Sequence, residues 1–281
     1  MKVVFFHSSG NAHIWKRPKK MQKRIQSAIE NEEPQIALVR EWGGAFCSPV
    51  ELIEAVDGIP VPQNAILAVN GRVHEEYERE KRIIGCISVV KYTTPGGKQE
   101  TVFFPKKKSY GTLAGAVREY FYDWTPENLR FGVIDGATGE WIWKKHDDTT
   151  ERMHEIPGIK KFNPPGYSLD VPATLRVKLA SGEATAWFPI CSDVTPCPPE
   201  NSCDLTIYAS NDRPLAMLET KRGRLMVGAD SGQFGIYLDG RKFSFLHHAR
   251  IARTAERQYG SIKTTADVTS TVTFYQDPLA E

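Results

Sequence analysis

Three patterns of apolar and polar positions divide the chain into elements. Residues 2–6 are a short apolar run, as a buried strand requires. Over 16–30, Met21, Ile25, Ala28 and Ile29 recur at helical spacing. Pro34 precedes a second apolar run, 36–39. Strand, loop, helix and strand in that order are the usual seed of a parallel sheet. Ser48, Pro49 and Glu51 make a helix start over 48–56: a cap, a proline in the first turn and a capping box, with Gly58 as the stop. Residues 65–69 read as a strand, Asn70-Gly71 as a tight hairpin turn, and the charged stretch 74–81 as a solvated loop or short helix.

The stretch 83–143 is the most ordered in pattern. Its β-branched and aromatic start, 83–92, suits a half-buried strand. Pro95-Gly96-Gly97 turns the chain and 101–104 returns it. Ser109 or Thr112 caps a helix carrying Leu113, Ala116, Val117 and Tyr120 on one face, which ends before Pro126. A strand over 129–134, a turn at Asp135-Gly136 and a strand from Trp141 complete a ββαβ order, that of a β-grasp. Pro157, Gly158, Pro164, Pro165 and Gly166 then mark a linker.

Beyond it, short runs at 173–179, 184–190, 205–209, 215–219, 225–228, 234–238, 242–246 and 268–275 are separated by turn residues; 248–258 is a short helix. Strands at that spacing argue for a sandwich or barrel. The fold class expected is α+β: an N-terminal α/β unit with a β-grasp-like ββαβ segment, then an antiparallel β-sandwich or barrel-like part. The domains expected are 1–156, mixed α/β, and 167–281, mainly antiparallel β.

Composition narrows the classes. A hydrophobic share of 41% supports a packed core, and a net charge of only +2 excludes a polycation, so any anion binding must come from local patches. No run approaches the roughly 20 apolar residues that cross a bilayer, and the apolar start is too short for a signal peptide. A cytoplasmic protein without membrane contact is expected, its five cysteines reduced.

The basic clusters suggest a partner. Lys16, Arg17, Lys19, Lys20, Lys23 and Arg24 form one; Lys106, Lys107 and Lys108 lie beside Tyr110; Arg250, Arg253 and Arg257 share a helix face. Cations attract phosphates and aromatics stack bases, so the leading expectation is a non-enzymatic binding or assembly protein contacting nucleic acid. Protein partners or self-association are expected with it, and a structural subunit of a viral or phage particle is a further alternative.

The runner-up expectation is an enzyme of the N-terminal α/β unit. In a βαβ unit ligands sit at the carboxyl ends of the strands, where His7, Ser9, His13 and Glu41 fall. A Ser-His pair activates a nucleophile and a glutamate serves as base, here toward a nucleotide or phosphorylated small molecule. Residues 7–13 match neither the Walker nor the dinucleotide fingerprint, so no cofactor is expected. Cys191, Cys197 and Cys203 are candidate metal ligands, but their spacing is wider than the two to four residues usual in zinc pairs. Ordinary thiols in a long loop are the plainer reading.

Overall fold

The computed structural model describes residues 1–7, 17–41, 43–44, 46–47, 49–77, 80–105, 130–134, 141–145, 150–152, 174–190, 203–210, 224–230, 233–238, 241–247, 250–251, 260–265 and 269–280. The linker stretch 156–167, the helix expected after Ser109 and the strand expected at 215–219 lie outside these residues.

The amino-terminal runs fold as their patterns dictate. β1 is Lys2–Phe6 and β2 is Ile36–Val39. Helix α1, Pro18–Glu32, buries Met21, Ile25 and Ile29 and starts on its proline. It stops at Glu33, a left-handed residue whose N–H donates to the Ile29 carbonyl. β3 is the short Phe46–Cys47 and α2 is Pro49–Asp57. β4 (Ile66–Tyr77), β5 (Glu80–Thr93) and β6 (Gln99–Pro105) follow. The β5–β6 hairpin closes through Gly97, whose positive φ of 83° only glycine adopts cheaply.

Two expectations fail here. Asn70-Gly71 is no turn: β4 runs straight through it, Asn70 opposite Ser88 on β5. Over its described residues the charged stretch 74–81 is no loop or helix, because 74–77 and 80–81 form the far end of the same β4–β5 ladder, down to Tyr77 opposite Glu80.

The β-grasp is also corrected. β7 (Arg130–Ile134) and β8 (Trp141–Lys145) do not join β5 and β6; with β9 (Thr150–Arg152) they form a separate three-stranded sheet.

The second half supplies β10 (Thr174–Leu179), β11 (Gly182–Trp187), β12 (Leu205–Ala209), β13 (Leu225–Asp230), β14 (Gln233–Leu238), β15 (Arg241–His247) and β16 (Arg250–Ile251). They form one sheet in chain order. It is not wholly antiparallel, since β11 pairs β12 and β12 pairs β13 in parallel. β16 occupies the start of the helix expected at 248–258.

The last strands, β17 (Gly260–Thr265) and β18 (Thr269–Phe274), leave that sheet and return to the first. β18 lies antiparallel against β1, with Val272 opposite Val3, giving the order β17-β18-β1-β2-β4-β5-β6. So the fold is not an α/β unit followed by a separate sandwich. The first sheet takes its last two strands from the end of the chain, and it faces the second sheet.

The reason is in the alternation along the first sheet. Phe5, Leu38, Ala68 and Val90 point to one side, into a core shared with Val177, Ile207, Val227 and Phe234 of the second sheet. Phe6, Val39, Val69 and Val89 point to the other side, where Met21, Ile25 and Ile29 of α1 and Leu52 and Val56 of α2 cover them. Strands buried on both faces are apolar throughout. The layers are helices, first sheet, second sheet, and Phe5 stacks on Phe234 across the two sheets with ring centroids 4.7 Å apart.

Candidate functional site

β1, β2 and β4 are mutually parallel, so their carboxyl ends emerge side by side. There the apolar runs give way to His7, Arg40, Glu41 and Asn70, all buried; Arg40 and Glu41 are each only 1% exposed. The second sheet does the same. β11, β12 and β13 run parallel, β11 is prolonged by an Ile190–Ala209 bridge, buried Ser210 follows β12, and buried Asp230 ends β13.

Both sets of ends meet. The His7 ring lies 5.5 Å from that of Phe234, which pairs with Ala229 at the end of β13. Ile190 packs on Cys86, which lies opposite Arg72 on β4 just past Asn70. β6 runs antiparallel to β5 and hence along β4; it ends at Pro105, opposite Ile87 beside Cys86. Three chain exits therefore surround one end of the sandwich: after Val39 the chain reads Arg40-Glu41, after Pro105 it reads Lys106, and after Ile190 it reads Cys191.

The Glu41 segment is tightly held. The Arg40 N–H donates to Phe6 O at 3.2 Å, Gly43 N–H to Arg40 O at 2.9 Å and Gly44 N–H to Asn70 O at 2.9 Å. The Arg40 guanidinium donates through Nη1 to the Glu41 carbonyl at 2.9 Å. The Asn70 amide donates through Nδ2 to Val39 O at 2.7 Å. A Cβ on Gly44 would stand 2.9 Å from Asn70 O and 3.0 Å from Gly71 Cα, so only glycine passes there.

His7 Nε2 lies 2.6 Å from Ser270 Oγ, a buried hydrogen bond, and its Nδ1 has no partner among the described residues. Burial, and then the Arg40 charge, push its pKa down to about 4. His7 is therefore neutral at ordinary pH. The unfolded chain binds a proton near the ordinary value of 6.5 and the folded chain does not until about 4. Stability then falls as pH drops through that window, by about 3 kcal/mol over its full width. Denaturant midpoints at pH 7, 5.5 and 4.5 should fall for the native chain, and His7→Gln should flatten that fall.

Three of the five cysteines are described, and all three are buried. Burial, and secondarily the charge of Glu51, push the Cys47 thiol up to about 12. Burial pushes that of Cys203 up to about 11. Cys203 also donates to the Leu205 carbonyl at 2.9 Å. Such thiols are inert. Cys191 and Cys197 lie outside the described residues. No group of three metal-ligating side chains occurs among the described residues.

Of the other residues named from sequence, Ser9, His13, Lys16, Lys106, Lys107, Lys108, Tyr110, Arg253 and Arg257 lie outside the described set. Arg17, Lys19, Lys20, Lys23 and Arg24 are exposed at and along the start of α1, on the helical layer. Arg250 is in β16, at one edge of the second sheet. Sequence reasoning took Asn70 for a turn residue, and weighed Cys191 as a metal ligand or an ordinary loop thiol, not as a nucleophile. The signal for Cys191 was its place directly after the apolar run 187–190, at a strand end.

No family model matches the chain, and no curated protein does. Among solved structures it is similar to an amidase from Nesterenkonia sp., at 12% identity, TM-score 0.47, covering 99% of this chain and 92% of that one. It is also similar to a cysteine-to-alanine variant of the Nesterenkonia AN1 amidase from the nitrilase superfamily, at 11% identity, TM-score 0.49 and the same coverages. A glutamate-to-glutamine variant of the same amidase, with acrylamide added at its active-site cysteine, matches at 11% and 0.47, covering 99% of this chain and 95% of that one. At those values the likeness carries no statement about activity.

The expected non-enzymatic nucleic-acid-binding or assembly protein does not stand. The solved structures reported above are of amidases and none is a nucleic-acid-binding protein. The basic clusters also fail to form one surface among the described residues: α1 covers the outer face of the first sheet, while Arg250 is at the edge of the second. No helix among the described residues is long and apolar enough to cross a membrane.

Proposed function

We propose that the chain is a hydrolase of carbon–nitrogen bonds in carboxamides, with Cys191 as nucleophile and Glu41 as general base and acid. The observation that carries the reading is the buried Glu41 at the end of β2, with the chain exits to Cys191 and Lys106 at the same end of the sandwich. The described cysteines support it by exclusion, since all three are buried in structural roles.

The chemistry is acyl transfer. Glu41 takes the thiol proton as sulfur bonds to the carbonyl carbon. The carbon–nitrogen bond then breaks, and protonated Glu41 returns its proton to the departing nitrogen, leaving a thioester. Water attacks the thioester, Glu41 takes its proton, and the carbon–sulfur bond breaks as the thiol is reprotonated. The sum is carboxamide plus water to carboxylic acid plus ammonia. A lysine of the run 106–108 stabilises the oxyanion of each tetrahedral stage. Carboxamides are the class to test first, because an amine leaving group needs the proton that Glu41 has just taken up. A cytosolic setting suits a reduced nucleophile.

The test is limited alkylation with iodoacetamide followed by peptide mapping, beside ammonia release from a panel of small aliphatic and aromatic carboxamides. Cys191 should be labelled far ahead of the other cysteines, and labelling should stop ammonia release in proportion. Equal labelling of Cys191 and Cys197, or turnover that survives full labelling of Cys191, would remove the reading.

A further inference from the structure

We propose that Asn70 is the positioning residue for Glu41, an inference that rests on the glutamate-and-cysteine reading above. Glu41 lies in a segment that has left its strand, so nothing in the β2 ladder alone fixes it. The Arg40 guanidinium holds its carbonyl, and the neighbouring strands on both sides hold the segment. On the β1 side the Arg40 N–H is held by Phe6 O. On the β4 side Asn70 holds the segment at two points on either side of Glu41: its Nδ2 donates to Val39 O at 2.7 Å, and its carbonyl accepts from Gly44 N–H at 2.9 Å. The first contact is two residues before Glu41 and the second three residues after.

The cost of this arrangement argues that it is kept for position. Asn70 is 1% exposed, and its Oδ1 has no hydrogen-bond partner among the described residues. Among the described residues the amide satisfies only one end, and a buried polar atom left unpaired costs stability that an apolar residue in the same place would not. Valine precedes it at position 69 and fits this strand fully buried. The amide earns its place through what Nδ2 holds. Gly44 completes the clamp, since any side chain there would strike Asn70 O and Gly71 Cα. Sub-ångström control of a catalytic base is what such a clamp provides, and a displacement of about 1 Å costs on the order of 100-fold in rate.

The test is a double-mutant cycle on the full chain, reading both ammonia release from a carboxamide and the rate of Cys191 alkylation by iodoacetamide across pH. Asn70→Ala should lower kcat about 100-fold with a much smaller change in KM. It should also displace the alkylation pH profile in the same direction as Glu41→Gln. In the Glu41→Gln background the same Asn70→Ala change should alter the residual alkylation rate less than about twofold, because the group it positions is gone. Asn70→Asp keeps the shape but presents an acceptor to the Val39 carbonyl; it should follow Asn70→Ala, and it serves if the alanine variant does not fold. Equal losses from the Asn70 change in both backgrounds would overturn the inference alone. Undiminished rates in Glu41→Gln itself would overturn both it and the reading beneath it.

Discussion

Cys191→Ala should abolish carboxamide hydrolysis, a loss of at least about 10⁴-fold in kcat, while Glu41→Gln should cost between about 10² and 10⁴-fold. The order follows from the two roles. Without the thiol no thioester forms, and the remaining groups can only polarise a carbonyl toward water. Without the carboxylate the thiol still ionises to a small extent and still attacks, but its proton has no assigned acceptor and the departing nitrogen no assigned donor. Glutamine fills the same buried volume at position 41, where the residue is 1% exposed, so the packing around Arg40 and Gly43 should survive. The check is steady-state ammonia release together with thermal melts. Melts that match the native chain would place the loss in chemistry. Full activity in either variant would contradict the assignment.

Phe234→Ala should destabilise the fold by about 3–5 kcal/mol. Phe234 is fully buried; it stacks on Phe5 and lies against the His7 ring. The size of that effect comes from where it sits. In a separate C-terminal sandwich, removing this ring would loosen the second half only. In the observed fold it opens a cavity between the two sheets, so a single cooperative unfolding transition should move for the whole chain. Urea unfolding followed by tryptophan fluorescence and by far-ultraviolet circular dichroism should give coincident, shifted curves. Two separated transitions would contradict the shared core.

Local elements were legible because local patterns carry them. The apolar runs of β1 and β2, the Met21-Ile25-Ile29 face of α1 and the Pro95-Gly96-Gly97 turn each announce themselves within a few residues. Asn70-Gly71 misled because that dipeptide is a strong turn signal in isolation; here the amide is recruited to Val39 O on the neighbouring strand, which no local window contains. The stretch 74–81 misled because its charge reads as solvated, while the ladder between β4 and β5 continues as far as Tyr77 and Glu80.

The return of β18 to β1 was not legible at all. Val272 meets Val3 across nearly the whole chain, and nothing in either run names the other. That single pairing carries the end of the chain back into the first sheet, which faces the second. The site was half legible for the same reason. Glu41 could be placed at a strand end from the local sequence alone, but its convergence with the exit to Cys191 depends on Ile190 packing against Cys86, a contact between the two sheets.

The most direct measurement is the mass of the protein caught during turnover. Acid quenching in the presence of a small carboxamide, followed by peptide mapping, should show an acyl group on the peptide that contains Cys191, absent from Cys191→Ala. Ammonia release with no acyl adduct on any cysteine, or with the adduct on Cys197, would contradict the account.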